Sequence, residues 1–344
     1  MDIAFLENER RRKTARYTIV LTVLGLLIIT AFIISMNTGY MRLTPVEVMK
    51  TLFGAGTPKQ HLVLFEFRLP RIVISVLVGA GLAVSGCILQ GVSRNALADP
   101  GILGINAGAG LAVVLFVTFM KKAGVTSVFL LPFLSLVGAG LTAALIFSLA
   151  YKKNQGLMPI RLILVGIAVA AGISAAMIVL TIKLDPQQFQ FVQVWLAGSV
   201  WGTTWKYVLA LLPWIVVLLP YVFYKARIFN VLQLGDHAAV GLGTPVERER
   251  LKMLAAAVAL AASCVAVGGG IGFVGLIGPH LARRLVGPSY QVLLPASALA
   301  GGLLLIVADT LGRWVMQPSE IPTGIVVAII GAPYFLYLLA KSKA

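Results

Sequence analysis

The sequence is poor in acid. Of its 344 residues 12 are Asp or Glu, and all charged types together make up 12%. A soluble domain carries about twice that share of charge. Hydrophobic residues reach 59% and the mean hydropathy is +0.95, so the chain reads as an all-α, polytopic membrane protein. Cysteine is scarce. Cys87 and Cys264 lie in apolar segments with no metal-ligand spacing, as small buried hydrophobes do. His61, His237 and His280 fall in different loops or spans, so no metal site is indicated. No Gly-x-x-x-x-Gly-Lys-[Ser/Thr] is present, so the chain cannot cradle ATP by a P-loop. No nucleophile–base constellation stands out. The chain is expected to be no enzyme and to bind no cofactor. Acids inside spans are nearly absent too. Asp309 alone qualifies, with Arg313 one turn beyond to pair with it. A proton- or sodium-coupled carrier needs titrating groups in mid-membrane, so that class is disfavoured.

What is present is basic charge and apolar length. The net charge of +16 would suit nucleic acid, but the Lys and Arg residues sit in loops and at span ends, where they fix orientation and meet anionic headgroups. No basic helix is available for a phosphate backbone, so membrane lipids are the expected partner and nucleic acid is not. Ten apolar segments can be drawn: 17–36, 69–90, 101–120, 128–150, 162–182, 207–224, 253–269, 272–285, 293–314 and 321–340. Each approaches the roughly 20 residues a crossing needs, except the eighth, which is short, Gly-rich and tenable only inside the protein. The first run exceeds a signal-peptide core and lacks a cleavage site, so it reads as an uncleaved span. With the N-terminus inside, the inner loops collect most of the 28 basic residues, among them Arg94, Lys152, Lys153, Arg161, Arg283, Arg284, Lys341 and Lys343. Both termini are therefore expected in the cytoplasm. The whole chain, 1–344, reads as one transmembrane domain with a cytoplasmic tail at 1–16 and a cytoplasmic polar stretch at 225–252. Residues 44–53 read as a short surface helix, and 185–199, with Pro186 and Trp195, as an external connection. Segments two to five and seven to ten are compatible with inverted repeats.

The polar stretch is the informative one. Its centre is Leu234-Gly-Asp-His-Ala-Ala-Val-Gly-Leu-Gly243. Glycines bracket a short helix with an acidic start, which Asp236 should cap, and with apolar Ala239 and Leu242 to dock on a soluble partner. Arg68 and Arg71 open the second span, three apart on one face. They either anchor to headgroups or form a socket for carboxylates. Asp99-Pro100 has the form of an N-cap followed by Pro at N1. Gly278-Pro279-His280 should break regular helix in the eighth span, and His280 reads as a hydrogen-bonded structural histidine. Glycines such as Gly79, Gly86 and Gly301 allow close helix approach.

Together these segments resemble the permease subunits of the iron-siderophore and vitamin B12 class of ABC importers, the FecCD family. The matching pieces are Arg68-Leu-Pro-Arg71, Arg94-Asn-Ala-Leu-Ala-Asp-Pro-Gly-Ile-Leu-Gly104, Leu234 to Gly243, Gly272-Phe-Val-Gly-Leu-Ile-Gly-Pro-His-Leu-Ala-Arg283, Leu294 to Gly301, and Ala308 through Glu320 to Leu336. The resemblance implies about ten spans in the type II importer permease fold. It also implies a second permease subunit, a cytoplasmic ATPase pair that uses the ATP, and an extracytoplasmic binding protein. It assigns Leu234, Gly235, Asp236, Ala239, Leu242 and Gly243 to ATPase coupling. It assigns Arg68, Arg71 and Arg313 to binding-protein docking, and Asn95, Asp99, Pro100, Gly278, Pro279, His280, Asp309 and Glu320 to gating or structure. The implied cargo is an iron(III)-siderophore, with haem or cobalamin the alternatives, carried across a bacterial cytoplasmic membrane. Two departures stand out. Ala96 replaces the usual Pro, which should loosen the turn there, and Ser289-Tyr290-Gln291 replaces a polar Asp-His-Arg.

Overall fold

A computed structural model describes residues 3–39, 43–101, 104–120, 129–152, 156–317 and 319–342. Ile102 and Leu103 of the Arg94–Gly104 motif, Val128 at the start of the fourth expected span, and Lys153 and Lys343 of the basic set lie outside the described residues.

The chain folds as fourteen helices among the described residues. They are α1 (Ile3–Asn37), α2 (Pro45–Leu52), α3 (Pro58–Ser93), α4 (Ile105–Phe119), α5 (Leu130–Ala150), α6 (Pro159–Thr181) and α7 (Pro186–Ala197). Then come α8 (Trp205–Tyr224), α9 (Ala226–Gln233), α10 (Asp236–Gly241), α11 (Val246–Gly268), α12 (Val274–Val286), α13 (Tyr290–Val315) and α14 (Thr323–Ser342). A two-residue antiparallel ladder, Tyr151–Lys152 against Gly156–Leu157, joins α5 to α6. Eight helices are long and apolar enough to cross a membrane, and α4, at 15 residues, is a shorter apolar one. With α12 at 13 residues, these sit on the ten expected segments. α12 has most of its residues buried, which a helix too short to span requires.

Three sequence expectations change. Helix begins at Ile3, so the tail ahead of the first span continues it. The second span does not start at Pro70, because helix is already under way from Pro58 and a π-helical turn at Leu62–Arg68 precedes the proline. Residues 185–199 are no open connection. Asp185 accepts a hydrogen bond from the Gln188 amide at 2.8 Å, Gln188 reaches back to the Asp185 amide, and Pro186 takes the first turn, which starts α7. The same capping box, between Thr44 and Glu47, starts the expected surface helix α2.

α3 is the central post. It packs against α13, α11 and α12, and 83% of its apolar window is buried, against 11% for α6. Small residues set these contacts. A Cβ on Gly79 would fall on the Gly301 carbonyl of α13, and one on Gly86 on the Gly275 carbonyl of α12. α12 is not broken at Pro279. Proline lacks the N–H that would bond the carbonyl four residues back. That carbonyl, Gly275, instead accepts from Gln90 Nε2 of α3 at 3.2 Å.

Candidate functional site

Two polar clusters lie along α3, one at its C-terminal end and one around Arg71. The first surrounds the polar stretch. Gly235 at φ +103° and Gly243 at φ +76° take backbone conformations that side chains disfavour, and they turn the chain into and out of α10. Asp236 is the first residue of α10 but does not cap it; Gly235 holds the cap position without a side chain. The Asp236 carboxylate instead meets Arg94 Nη2 at 2.6 Å and Arg250 Nη2 at 3.0 Å. Partial burial raises its carboxyl pKa, but the Arg250 hydrogen bond and the Arg250 and Arg94 charges outweigh that and hold it below the usual Asp value.

Further ties fix this end. Arg94, itself left-handed at φ +50°, donates to the Leu232 carbonyl, and Gln233 Nε2 donates to Gly91 O at 3.0 Å. Phe229, fully buried, stacks on Tyr290 at 4.9 Å. Asn230 bonds both Gln291 and the Tyr290 amide. The Ser289-Tyr290-Gln291 departure thus has a clear place, holding α9 to the start of α13. Glu249 takes Lys225 and Lys252, each at 3.0 Å.

The apolar side chains divide differently from expectation. Ala239 has no exposed surface and packs with Leu232 and Val246 inside the chain. Leu234, Val240 and Leu242 are 65%, 63% and 65% exposed. The outward apolar face is therefore Leu234, Val240 and Leu242.

The loop after α3 folds back along it. Asp99 is buried and does not cap α4, whose N-cap is Gly104. Its Oδ1 accepts from the Gly101 amide at 2.8 Å, and Asp99 and Pro100 abut Gly275 of α12. Burial pushes this carboxyl up to about 6, against a smaller downward effect of the Gly101 bond. Asn95 Oδ1 accepts from the Leu97 amide at 2.9 Å, so the turn at Ala96 is held by a side chain rather than loosened. His280 lies edge-on to Tyr334, and its Nε2 is buried without a hydrogen-bond partner among the described residues, contrary to the expected bonded histidine. Gly278 abuts Ala83 and Pro279 is buried.

The second cluster lies around Arg71, in the first half of α3. Arg71 places Nε and Nη2 on Asp309 Oδ1, at 2.9 and 2.8 Å, and Nη1 on Glu320 at 2.7 Å. Arg313 Nε approaches Asp309 Oδ2 at 3.2 Å as expected, and Arg313 Nη1 donates to the Thr38 carbonyl at 3.0 Å. Thr323 donates to Asp309 at 3.2 Å, and Arg68 donates to the Met36 carbonyl. Arg68, Arg71 and Arg313 are 5%, 8% and 5% exposed. In this chain these side chains are turned inward and join α1, α3, α13 and α14. Sequence spacing signalled the Asp309–Arg313 pair, but Arg71–Asp309 spans 238 positions and leaves no local trace.

A family model described as the FecCD transport family matches residues 26–341. The iron(3+)-hydroxamate import system permease protein FhuG of Bacillus subtilis is 54% identical over 337 residues, covering 97% of this chain and 100% of that one. The Fe(3+) dicitrate transport system permease protein FecD of Escherichia coli is 38% identical over 299 residues, covering 87% and 91%. Among solved structures, an inward-facing putative metal-chelate type ABC transporter superposes with a TM-score of 0.82 at 32% identity, covering 94% of this chain and 99% of that one.

Proposed function

The chain belongs to the FecCD transport family, and on that premise we propose that it carries an iron(III)-hydroxamate siderophore. It is a polytopic permease of an ABC importer and not an enzyme. The family implies an ATPase, a binding protein and a second permease as partners. In the proposed cycle the binding protein delivers the iron complex to a path between two permeases in a bacterial cytoplasmic membrane. ATP is hydrolysed below by a pair of ATPases, and both chain termini face them.

The observation that carries the coupling step is the helix α10 with its exposed Leu234, Val240 and Leu242. Asp236, Arg94 and Arg250 fasten that helix to α3 and α11. An apolar patch on a charge-fastened short helix can take a push from a soluble partner and hand it to the membrane helices. Hydroxamate cargo rests on the relative that is 54% identical.

The test is reconstitution with the ATPase, second permease and binding protein in proteoliposomes. Labelled iron should enter from a hydroxamate chelate when ATP is supplied inside, and persist with a protonophore at constant ATP. Uptake of haem or cobalamin in place of the hydroxamate would replace the cargo. Uptake that stops with the protonophore would replace the energy source.

A further inference from the structure

An apolar cavity of about 570 Å³ lies between α5, α8 and α11, and the coupling and charge clusters make no use of it. A smaller one of about 200 Å³ continues it past Leu136 and Trp214, which line both. The hollow comes from side-chain size. Gly140 and Ala144 of α5 and Ala255 and Ala259 of α11 line it together, and Trp214 of α8 forms part of the wall.

We propose that this groove seats one acyl chain of an anionic phospholipid, with the headgroup at the end nearest α10. Length is the first argument. The larger cavity runs along α11 from Leu251 to Ala262, about 16 Å at the helical rise. One leaflet of hydrocarbon is about 15 Å, half the bilayer core.

Width is the second argument. The 570 Å³ spread over that length gives a mean cross-section of about 35 Å², room for an extended hydrocarbon chain along the slot. A polymethylene chain fits.

Charge is the third. On α11 the lining positions Leu251, Ala255 and Ala262 share one face, and the next turn outward on that face carries Arg248. On α5 the stripe through Gly140, Ala144 and Phe147 leads to Tyr151 and Lys152. Arg248 and Lys152 are exposed, and no ion pair is formed by either among the described residues. Lys252 is exposed beside them, paired with Glu249. The one other acid at the rim, Glu247, is engaged by the Tyr151 hydroxyl. An apolar slot of one-leaflet length that opens on a cationic rim matches a lipid chain joined to a phosphate.

The importer complex, stripped of lipid in detergent, tests this by native mass spectrometry with dipalmitoyl phosphatidylglycerol or dipalmitoyl phosphatidylcholine as the probe. One phosphatidylglycerol should bind about fivefold more tightly than phosphatidylcholine, the gain expected from one basic side chain at a membrane surface. Arg248→Gln should reduce that preference, and Arg248→Gln with Lys152→Gln should erase it, while a lipid still binds. Ala255→Phe fills the slot from an exposed position and should weaken both lipids by about tenfold or more, since several buried methylenes are displaced. Ala259→Leu serves as a second filling variant should the first fail to fold. Leu141→Phe, on the outward face of α5, should change nothing. Retention unchanged by both filling variants means annular lipid only and overturns the proposal. So does equal binding of the two lipids with no effect of Arg248→Gln, or cross-linking of Ala255→Cys to a protein chain.

Discussion

Replacing Arg71 with Leu separates a structural arginine from a docking one. In the wild type, Asp309 is 1% exposed and receives two nitrogens of Arg71, one of Arg313 and the Thr323 hydroxyl. The substitution removes the shortest of these contacts and leaves the carboxylate in a dry site. Removing one member of a buried pair costs about 3–5 kcal/mol, chiefly because the other charge stays buried. Arg313 remains at 3.2 Å and Glu320, whose side chain is 32% exposed, can turn to water, so the low end, about 3 kcal/mol, is expected. Arg71→Lys keeps the charge but loses the fork that reaches both acids and should cost less than Leu. Asp309→Leu strands Arg71 and Arg313 together. The double variant Arg71→Leu/Asp309→Leu should cost less than the two singles combined, with a coupling of about 1–3 kcal/mol. The assay is SDS-titrated unfolding of the purified permease in mixed micelles, run beside binding-protein affinity at two salt concentrations. A cost below about 1 kcal/mol, as for an exposed pair, joined to a salt-screened loss of binding-protein affinity, would refute the structural reading.

Val240→Glu or Leu242→Glu should uncouple ATP hydrolysis from uptake with normal insertion, because both side chains are exposed, while Ala239→Glu should destroy the folded stretch itself; ATPase stimulation beside protein yield separates the two. Gly79→Ala should prevent α3 and α13 from closing, since the new Cβ meets the Gly301 backbone rather than a movable side chain; a cost of about 1–3 kcal/mol or more would show as loss of the monodisperse elution peak. Gln90→Leu leaves the Gly275 carbonyl unpaired at a cost of about 1–3 kcal/mol, and Pro279→Ala, which restores an N–H to that carbonyl, should recover most of it in the same unfolding assay. Burial raises the Asp99 carboxyl to about 6 from its ordinary value of 3.8, so the folded state holds its proton more tightly. Stability from this group is present below about pH 4 and falls as pH rises through about 6, by up to roughly 3 kcal/mol; Asp99→Asn should flatten that window.

The spans were legible in the sequence because each is a long apolar run, and so was the glycine-bracketed helix, because Gly235 and Gly243 sit where the backbone turns left-handed. Two local signals were present and misassigned. Asp185-Pro186 with Gln188 is a helix start, and Asp99-Pro100 looks like one but belongs to a loop folded against α3. The second failed because capping spacing says nothing about burial, and Gly275 provides the room that draws Asp99 inward. The two charge clusters were only partly legible. Asp309–Arg313 and Glu249–Lys252 follow helical spacing, whereas Arg71 with Glu320, Arg94 with Asp236 and Lys225 with Glu249 join distant segments through packing. The direction of Ala239 was misread because a six-residue helix offers too few turns to show which side faces inward.

Arg71 lies within α3 and Arg94 is the residue that closes it. They lie 23 positions apart, or about 35 Å along the axis. Each is gripped at its own end by charges from other elements, and between them α3 touches its neighbours backbone to backbone at Gly79 and Gly86. A stiff rod clamped at two points stores little elastic energy under load. A displacement of the α10 end would reach the Asp309 end with little loss, because the π-helical turn at Leu62–Arg68 lies beyond Arg71, outside the clamped stretch. Stiffness between the clamps, rather than mobility within them, is then the quantity on which the timing of the two ends depends.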